Sequence, residues 1–210
     1  KTKTQVVGID PSKEYVAFAK SRSPYAERTR FLTGDAQQMD FRDGVFAAAL
    51  SLLVFNFVTD PGKALREARR VVKPGAWVTA AVWDYGAGMR MLRTFWDVVV
   101  HLDPGAERLD ERHMPLCREG ELIQLWKTGG LAQVNGRAIE ITTEFQSFPD
   151  YWDAFLLGQG PAGHYTAGLT SEHRAALRRK VMRRLAVTEE ARPFALPARV
   201  WAVRGQVASG

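Results

Sequence analysis

The chain has 210 residues, of which 46% are hydrophobic and 25% charged, with a formal net charge of +6. These values are ordinary for a soluble globular domain with a sizeable core. No apolar run reaches the roughly 18 residues that a membrane helix requires, so we expect no membrane partner. Cys117 is the only cysteine, which excludes an internal disulfide and favours the cytoplasm.

The first part of the chain alternates strands and helices. Four strands are predicted, over Gln5–Asp10, Thr29–Leu32, Val45–Leu53 and Ala76–Trp83. Ser12 is predicted to cap a helix over Lys13–Lys20, whose inward side chains are Tyr15, Val16 and Ala19. Asp60 and Pro61 begin a second helix that runs to about Val72. The strand over Val45–Leu53 is almost continuously apolar, which is typical of a strand buried on both faces of a parallel sheet.

The second part of the chain is richer in helices. Helices are predicted over Met89–Leu102, Arg118–Thr128, Phe148–Leu157 and Glu172–Leu185, with strands over Arg137–Thr143 and Arg199–Arg204. The glycine-rich stretch Gly158–Gly168 is predicted to be a flexible loop. The alternation of elements in the first part predicts an α/β fold with a doubly wound sheet.

The stretch VVGIDPS, from Val6 to Ser12, ends a predicted strand on an acid, Asp10. Ligands of open α/β sheets bind beyond the carboxyl ends of the strands, and a carboxylate there can accept hydrogen bonds from both hydroxyls of a ribose. The alternative is that Asp10 only caps the next helix or lies in a loop.

Three motifs carry a family resemblance. VVGIDPS, FLTGDAQQMDF and VFAAALSLLVFNFVTDPGKALREARRVVKPGAWVTAAVW resemble the class I S-adenosylmethionine-dependent methyltransferases, over about Gln5–Trp83. The resemblance is closest to the subgroup that methylates small molecules, including quinone rings. It implies a Rossmann-like, mostly parallel sheet with an antiparallel C-terminal strand and a helical lid insertion. We expect a single domain over 1–210, with lid segments at about 86–116 and 146–190.

The resemblance also implies roles for individual residues. Asp10 falls on the acid that holds the cofactor ribose, and Asp35 on the acid that holds the adenine amino group. The Ala36 amide faces the adenine ring, and Pro11 adds apolar surface beside it. Ser51 or Leu52 lies beside the methionine part of S-adenosylmethionine.

An acceptor pocket is predicted at the same edge of the sheet, because aromatic and amide side chains follow two strand ends. The predicted acceptor contacts are Phe55, Asn56, Trp83 and Tyr85, with Trp96 and Gln159 from the lid. The acceptor is expected to be a small molecule, and the residue types do not identify it.

One family feature does not occur in the sequence. The family's first strand and glycine-rich loop should precede Val6, and no GxGxG motif occurs anywhere in the chain. We expect that segment to lie upstream of Lys1. Its absence leaves open a cofactor-free scaffold or partner protein, and the acid after a strand leaves open a nicotinamide-dependent oxidoreductase.

Other types of site have weaker support. The four histidines and Cys117 lack ligand spacing, so no metal site is expected. The basic cluster over Arg174–Arg184 has apolar residues at every fourth position, which indicates a solvated helix face; nucleic-acid binding is therefore not expected. A homodimer remains open at this stage.

Overall fold

The protein is described by a computed structural model covering residues 4–188 and 191–209. The ends of the predicted domain (1–3 and 210) and of the second predicted lid segment (189–190) lie outside the described residues. The strands are β1 (Val6–Asp10), β2 (Thr29–Thr33), β3 (Phe46–Leu52), β4 (Val72–Trp83), β5 (Ala132–Phe145) and β6 (Phe194–Gln206). The helices are α1 (Lys13–Arg22), α2 (Pro61–Val71), α3 (Arg90–Leu102), α4 (Glu121–Thr128), α5 (Phe148–Leu156), α6 (Gly160–Ala167) and α7 (Ser171–Arg184).

The strands form two sheets. β1 and β2 pair in parallel, and the other four strands have the order β3-β4-β6-β5. β3 and β4 are parallel, whereas β6 runs antiparallel to both β4 and β5. The α/β fold, its parallel pairs and its antiparallel C-terminal strand are therefore confirmed.

The two sheets each have an open edge. β1 is paired only with β2, and β3 only with β4, among the described strands. The prediction that Val45–Leu53 is buried on both faces is wrong: Leu50 is 82% exposed and Leu52 is 71% exposed. These side chains are exposed because no described strand or helix covers this part of β3.

Two local predictions are also corrected. Tyr15 does not point inward, since it is 59% exposed and Val16 is the buried residue of α1. The stretch Gly158–Gly168 contains α6 rather than a flexible loop. Gly163 allows close packing, since a Cβ atom there would lie 2.9 Å from the backbone of Gly158.

Buried apolar side chains form two clusters. The sheet core packs α2 and α4 against β4 and the end of β6, and includes Leu65, Val82 and Trp126. The second cluster joins α3, α5, α6 and α7, and includes Phe95, Trp96 and Tyr151. It is called the lid core because most of its residues belong to the predicted lid segments. β5 and β6 connect these cores, because their far ends contribute Phe145, Phe194 and Leu196 to the lid core.

Part of the basic face of α7 packs within the lid. Arg174 donates to the backbone oxygens of Thr166 (3.2 Å) and Leu169 (3.0 Å), at the end of α6. The guanidinium of Arg178 lies 5.0 Å from the ring centre of Phe148. Within residues 4–188 and 191–209, no helix has the length and apolar character needed to cross a membrane.

Candidate cofactor and acceptor site

Asp10 and Asp35 lie at the same edge of the β1–β2 sheet. Asp10 is the last residue of β1 and is paired with Thr33, the last residue of β2. The Gly34 amide donates to the Asp10 backbone oxygen at 3.0 Å, so the turn that carries Asp35 begins against the end of β1. The sequence-based expectation of two neighbouring acids is therefore met in the structure.

The Asp10 side chain is half-buried, and one of its two carboxylate oxygens accepts a hydrogen bond within the protein. Its Oδ1 atom accepts a hydrogen bond from the Ser12 amide at 2.8 Å, while Ser12 Oγ caps α1 by accepting from the Tyr15 amide at 3.1 Å. Within the part of the chain that the structure describes, Asp10 Oδ2 has no hydrogen-bond partner. One oxygen thus fixes the side chain, and the other is free to accept from a ligand. Pro11 follows Asp10 and is exposed.

Asp35 is exposed and fixed by Gln37. Asp35 Oδ1 accepts from the Gln37 amide at 2.8 Å and from Gln37 Nε2 at 3.2 Å. The backbone hydrogen bond, followed by the side-chain one, lowers the pKa of Asp35. Its carboxylate is therefore ionised at neutral pH and can only accept hydrogen bonds. Ala36 is half-buried and packs against the sheet core.

The carboxyl end of β3 has a strained backbone. Ser51 is half-buried, and Leu53 has a φ of +61°, a left-handed conformation that costs a residue other than glycine about 1–3 kcal/mol. The Leu53 amide donates to the Ala81 backbone oxygen at 2.8 Å, which holds the strained turn against β4. Such outliers cluster at ligand sites.

Phe55 and Asn56 are interior residues. Phe55 is 5% exposed, and its ring centre lies 5.1 Å from that of Trp126. Asn56 is 2% exposed and donates from Nδ2 to the Pro115 backbone oxygen at 2.8 Å. The next aromatic residue, Phe57, is the exposed one, and its ring packs edge-on against Tyr85 at 6.5 Å.

The residues after β4 are held by an ion pair. Trp83 is half-buried at the end of β4, and the buried Asp84 binds Arg199 with an N–O distance of 2.7 Å. Tyr85 is 6% exposed. Burial, followed by the negative charges of Glu111 and Cys117, raises the pKa of Tyr85 to about 12. Its phenol is therefore protonated at neutral pH and can donate a hydrogen bond.

The comparison with protein families concerns the first part of the chain. Residues 1–80, less than half of the chain, match the family described as a methyltransferase domain. The chain is therefore similar to that family over its first part. A crystal structure from Bacillus halodurans C-125, described as a methyltransferase, has the same fold, with a TM-score of 0.59 and 16% identity over 98% of this chain and 84% of that chain.

Two curated relatives match part of the chain. One is an uncharacterised 37.1 kDa protein in transposon Tn4556 of Streptomyces fradiae, 38% identical over 71 residues, or 34% of this chain and 21% of that protein. The other is the 2-methyl-6-phytyl-1,4-hydroquinone methyltransferase of Synechocystis sp., 29% identical over 92 residues, or 44% of this chain and 29% of that protein. Each match thus spans less than a third of the relative.

The two predicted lid contacts, Trp96 and Gln159, lie apart from the strand ends. Trp96 is fully buried in the lid core and donates from its indole nitrogen to Glu111. Gln159 is an exposed residue that precedes the first turn of α6. A depression of about 650 Å³ lies on the outer face of α6, and none of the twelve predicted site residues lines it.

Glu111 is a buried acid that the sequence does not single out. Besides Trp96, it accepts from the Ala162 amide at 3.4 Å, in the first turn of α6. Burial raises the pKa of Glu111 against the opposing effect of these hydrogen bonds. In the sequence, the run from Asp110 to Arg112 is fully charged and cannot be distinguished from a solvated loop.

Proposed function

We propose that this protein transfers a methyl group from S-adenosylmethionine to a small-molecule acceptor. The observation that carries the proposal is the pair of acids, Asp10 and Asp35, fixed at the carboxyl ends of neighbouring parallel strands. Ligands of α/β sheets bind at that edge. The match of residues 1–80 to a methyltransferase domain supports the same activity.

The described residues fit the adenosine part of the cofactor. Asp10 offers an oxygen without a protein partner to the ribose hydroxyls, and Asp35 offers an ionised carboxylate to the adenine amino group. Pro11 and the Ala36 amide flank the purine. Ser51 and Leu52, at the end of β3, would lie beside the methionine part.

When bound, S-adenosylmethionine would supply a methyl group on a positively charged sulfur; a nucleophilic atom of the acceptor would bond the methyl carbon as the carbon–sulfur bond breaks, and S-adenosylhomocysteine would leave. The chain's own residues then act by positioning and by excluding water. Tyr85 holds its phenol proton at neutral pH and can donate it in a hydrogen bond to an acceptor oxygen. Phe57 presents an exposed aromatic face beside it.

An aromatic acceptor is the class that these side chains favour. Phe57 and Tyr85 form an edge-on aromatic pair, a geometry in which an offset third ring packs well. The similarity to a hydroquinone methyltransferase points in the same direction. Trp83 is a further proposed contact of the same pocket.

We also propose that a further strand completes the sheet between β1 and β3. Each of these strands has one unpaired edge, and Leu50 and Leu52 are exposed there. In the family that the chain resembles, the strand at this place carries the glycine-rich loop that packs against the amino-acid part of the cofactor.

The proposed setting is the cytoplasm, since Cys117 is a free, buried thiol and a reducing compartment preserves it. The sequence also leaves open that the protein forms a homodimer, and light scattering measures its molar mass in solution.

The proposal is tested by calorimetry with S-adenosylhomocysteine. Asp10→Ala removes two acceptor oxygens, and each hydrogen bond to a charged group contributes about 1.5–3 kcal/mol. We expect affinity to fall by about a hundredfold or more. Asp153→Ala, an exposed acid on α5, is the matched control. Unchanged affinity in Asp10→Ala would contradict the ribose role, and a melting-temperature shift with NADH alone would favour the oxidoreductase.

A further inference from the structure

Residues 34–44 connect the β1–α1–β2 unit, with its two acids, to the rest of the sheet. β1 and β2 share no ladder with the other strands among the described residues. Backbone pairing among the described strands therefore does not set the position of Asp10 and Asp35 relative to Ser51. Within the described residues, the contacts of residues 34–44 with the rest of the chain set that position.

The N-terminal end of α2 holds the Asp35 turn through Gln37. The Asp60 amide, at the start of α2, donates to Gln37 Oε1 at 2.9 Å. The amide group of the same side chain donates from Nε2 to both oxygens of Asp35, at 3.2 and 3.3 Å. Gln37 is thus a direct bridge from α2 to the Asp35 carboxylate.

The C-terminal half of α2 holds the next residues through Arg70. Its guanidinium donates to the backbone oxygens of Met39 (2.9 Å) and Phe41 (2.7 Å) and to the Asp43 carboxylate (2.7 Å). Two more N–H groups donate to Glu67, at 2.7 and 2.8 Å. One side chain therefore fixes three points of the loop.

Glu67 completes the arrangement. Glu67 Oε2 accepts from the Met39 amide at 2.8 Å, so Met39 is held through both its N–H and its C=O group. Arg70 lowers the pKa of Glu67, which keeps Glu67 ionised. The side chains are 31% and 19% exposed, and a partly shielded bidentate pair is more rigid than an exposed one.

We infer that Arg70, Glu67 and Gln37 are positioning residues for the cofactor: they hold the Asp35 turn in place relative to the end of β3. The inference rests on the proposed function. Helix α2 then sets the distance between two sites: Asp10 and Asp35, which are proposed to bind adenosine, and the end of β3, which is proposed to lie beside the reacting sulfur. A planar guanidinium is required, because an ammonium group cannot bond Met39, Phe41 and Glu67 in one plane.

Arg69 provides a matched control on the same helix. It is exposed and donates to the Gly129 backbone oxygen at 3.0 Å, which ties α2 to the end of α4 and not to the 34–44 segment. Arg70→Met and Arg69→Met thus each remove one arginine and its carbonyl contacts. We expect Arg70→Met to lower the affinity for S-adenosylhomocysteine at least about tenfold. Arg70→Lys should recover only part of that affinity, and Arg69→Met should bind as tightly as the unmodified protein does.

A milder pair of variants covers the case in which Arg70→Met does not fold. Gln37→Met removes the bridge between Asp60 and Asp35, whereas Gln38→Met alters an exposed neighbour whose side chain makes no hydrogen bond within the described residues. We expect weaker binding in Gln37→Met and unchanged binding in Gln38→Met. Folded variants at Arg70 and Gln37 that bind as tightly as their controls would overturn the inference.

Amide hydrogen exchange without cofactor separates this inference from the proposed function. We expect faster exchange over residues 35–43 in Arg70→Met and Glu67→Gln, and no change there in Arg69→Met. If the unmodified protein fails to bind S-adenosylhomocysteine, the proposed function is wrong even where exchange follows this pattern. Unaltered exchange over 35–43 in Arg70→Met would refute the holding of the loop itself.

Discussion

The ion pair between Arg93 and Asp110 gives a sharp stability prediction. Both side chains are buried, at 5% and 0% exposure, and two guanidinium nitrogens donate to the two carboxylate oxygens. Arg93 Nε has no hydrogen-bond partner among the described residues, so the guanidinium has no second partner to turn to. Asp110→Asn would leave this arginine charge buried without a counter-charge.

The expected cost follows from the burial. Removing one partner of a buried pair destabilises a protein by about 3–5 kcal/mol. For a chain of this size, 1 kcal/mol lowers the melting temperature by about 2–4 °C, so Asp110→Asn should lower it by roughly 6–20 °C. Asp97→Asn is the control: Asp97 binds Arg112 at 2.9 Å and is 39% exposed, and such surface pairs contribute less than about 1 kcal/mol.

Urea unfolding followed by tryptophan fluorescence measures the effect, because Trp96 and Trp152 lie in the lid core near this pair. Scanning calorimetry gives the melting temperatures. A second variant, Arg93→Met with Asp110→Asn, removes both charges, keeps an oxygen for the Arg112 amide that Asp110 accepts at 2.8 Å, and should recover most of the stability lost in Asp110→Asn. Equal losses in Asp110→Asn and Asp97→Asn would refute the reasoning, since they would mean that burial adds nothing.

Two further predictions concern the lid. Ala186 occupies the left-handed position after α7, with a φ of +55°, and the Val187 amide donates to the Met182 backbone oxygen. Ala186→Gly should therefore stabilise the protein by about 1 kcal/mol. Ala175→Gly, inside α7, should destabilise it by a similar amount. Burial raises the pKa of Glu111 in the folded protein, so the folded protein loses stability as pH rises and Glu111 ionises. In urea titrations, the stability of Glu111→Gln relative to the unmodified protein should therefore increase from acidic to neutral pH. A stability difference between the two proteins that does not change with pH would contradict this.

Local signals in the sequence predict the elements that position Asp10 and Asp35. Asp60 and Pro61 specify the start of α2, and the structure shows Asp60 Oδ1 capping the Lys63 amide at 2.8 Å. The apolar run before Asp10 and the Gly34 turn before Asp35 depend on neighbouring residues only. Such signals are readable because capping and turn formation are set within a few positions.

Features that depend on distant packing were not predicted. Phe55 and Asn56 are predicted acceptor contacts, and the sequence does not indicate that Phe55 packs on Trp126 or that Asn56 bonds Pro115, 59 positions later. The sequence also does not indicate α6, because the close packing at Gly163 depends on a neighbouring segment. The burial of Glu111 depends on Trp96 and α6, which no local pattern indicates.

The two long strands β5 and β6 connect two cores that pack separately, the sheet core and the lid core. Substitutions that repack the lid core around Phe95 and Tyr151 leave the sheet core around Leu65 and Val82 with its own contacts. Evolution and design can therefore reshape α3, α5, α6 and α7 while the sheet core keeps its geometry. The limit to this independence lies in the middle of β6, where Ala198 is 2% exposed, between Leu196, which packs on the lid core, and Val203 of the sheet core.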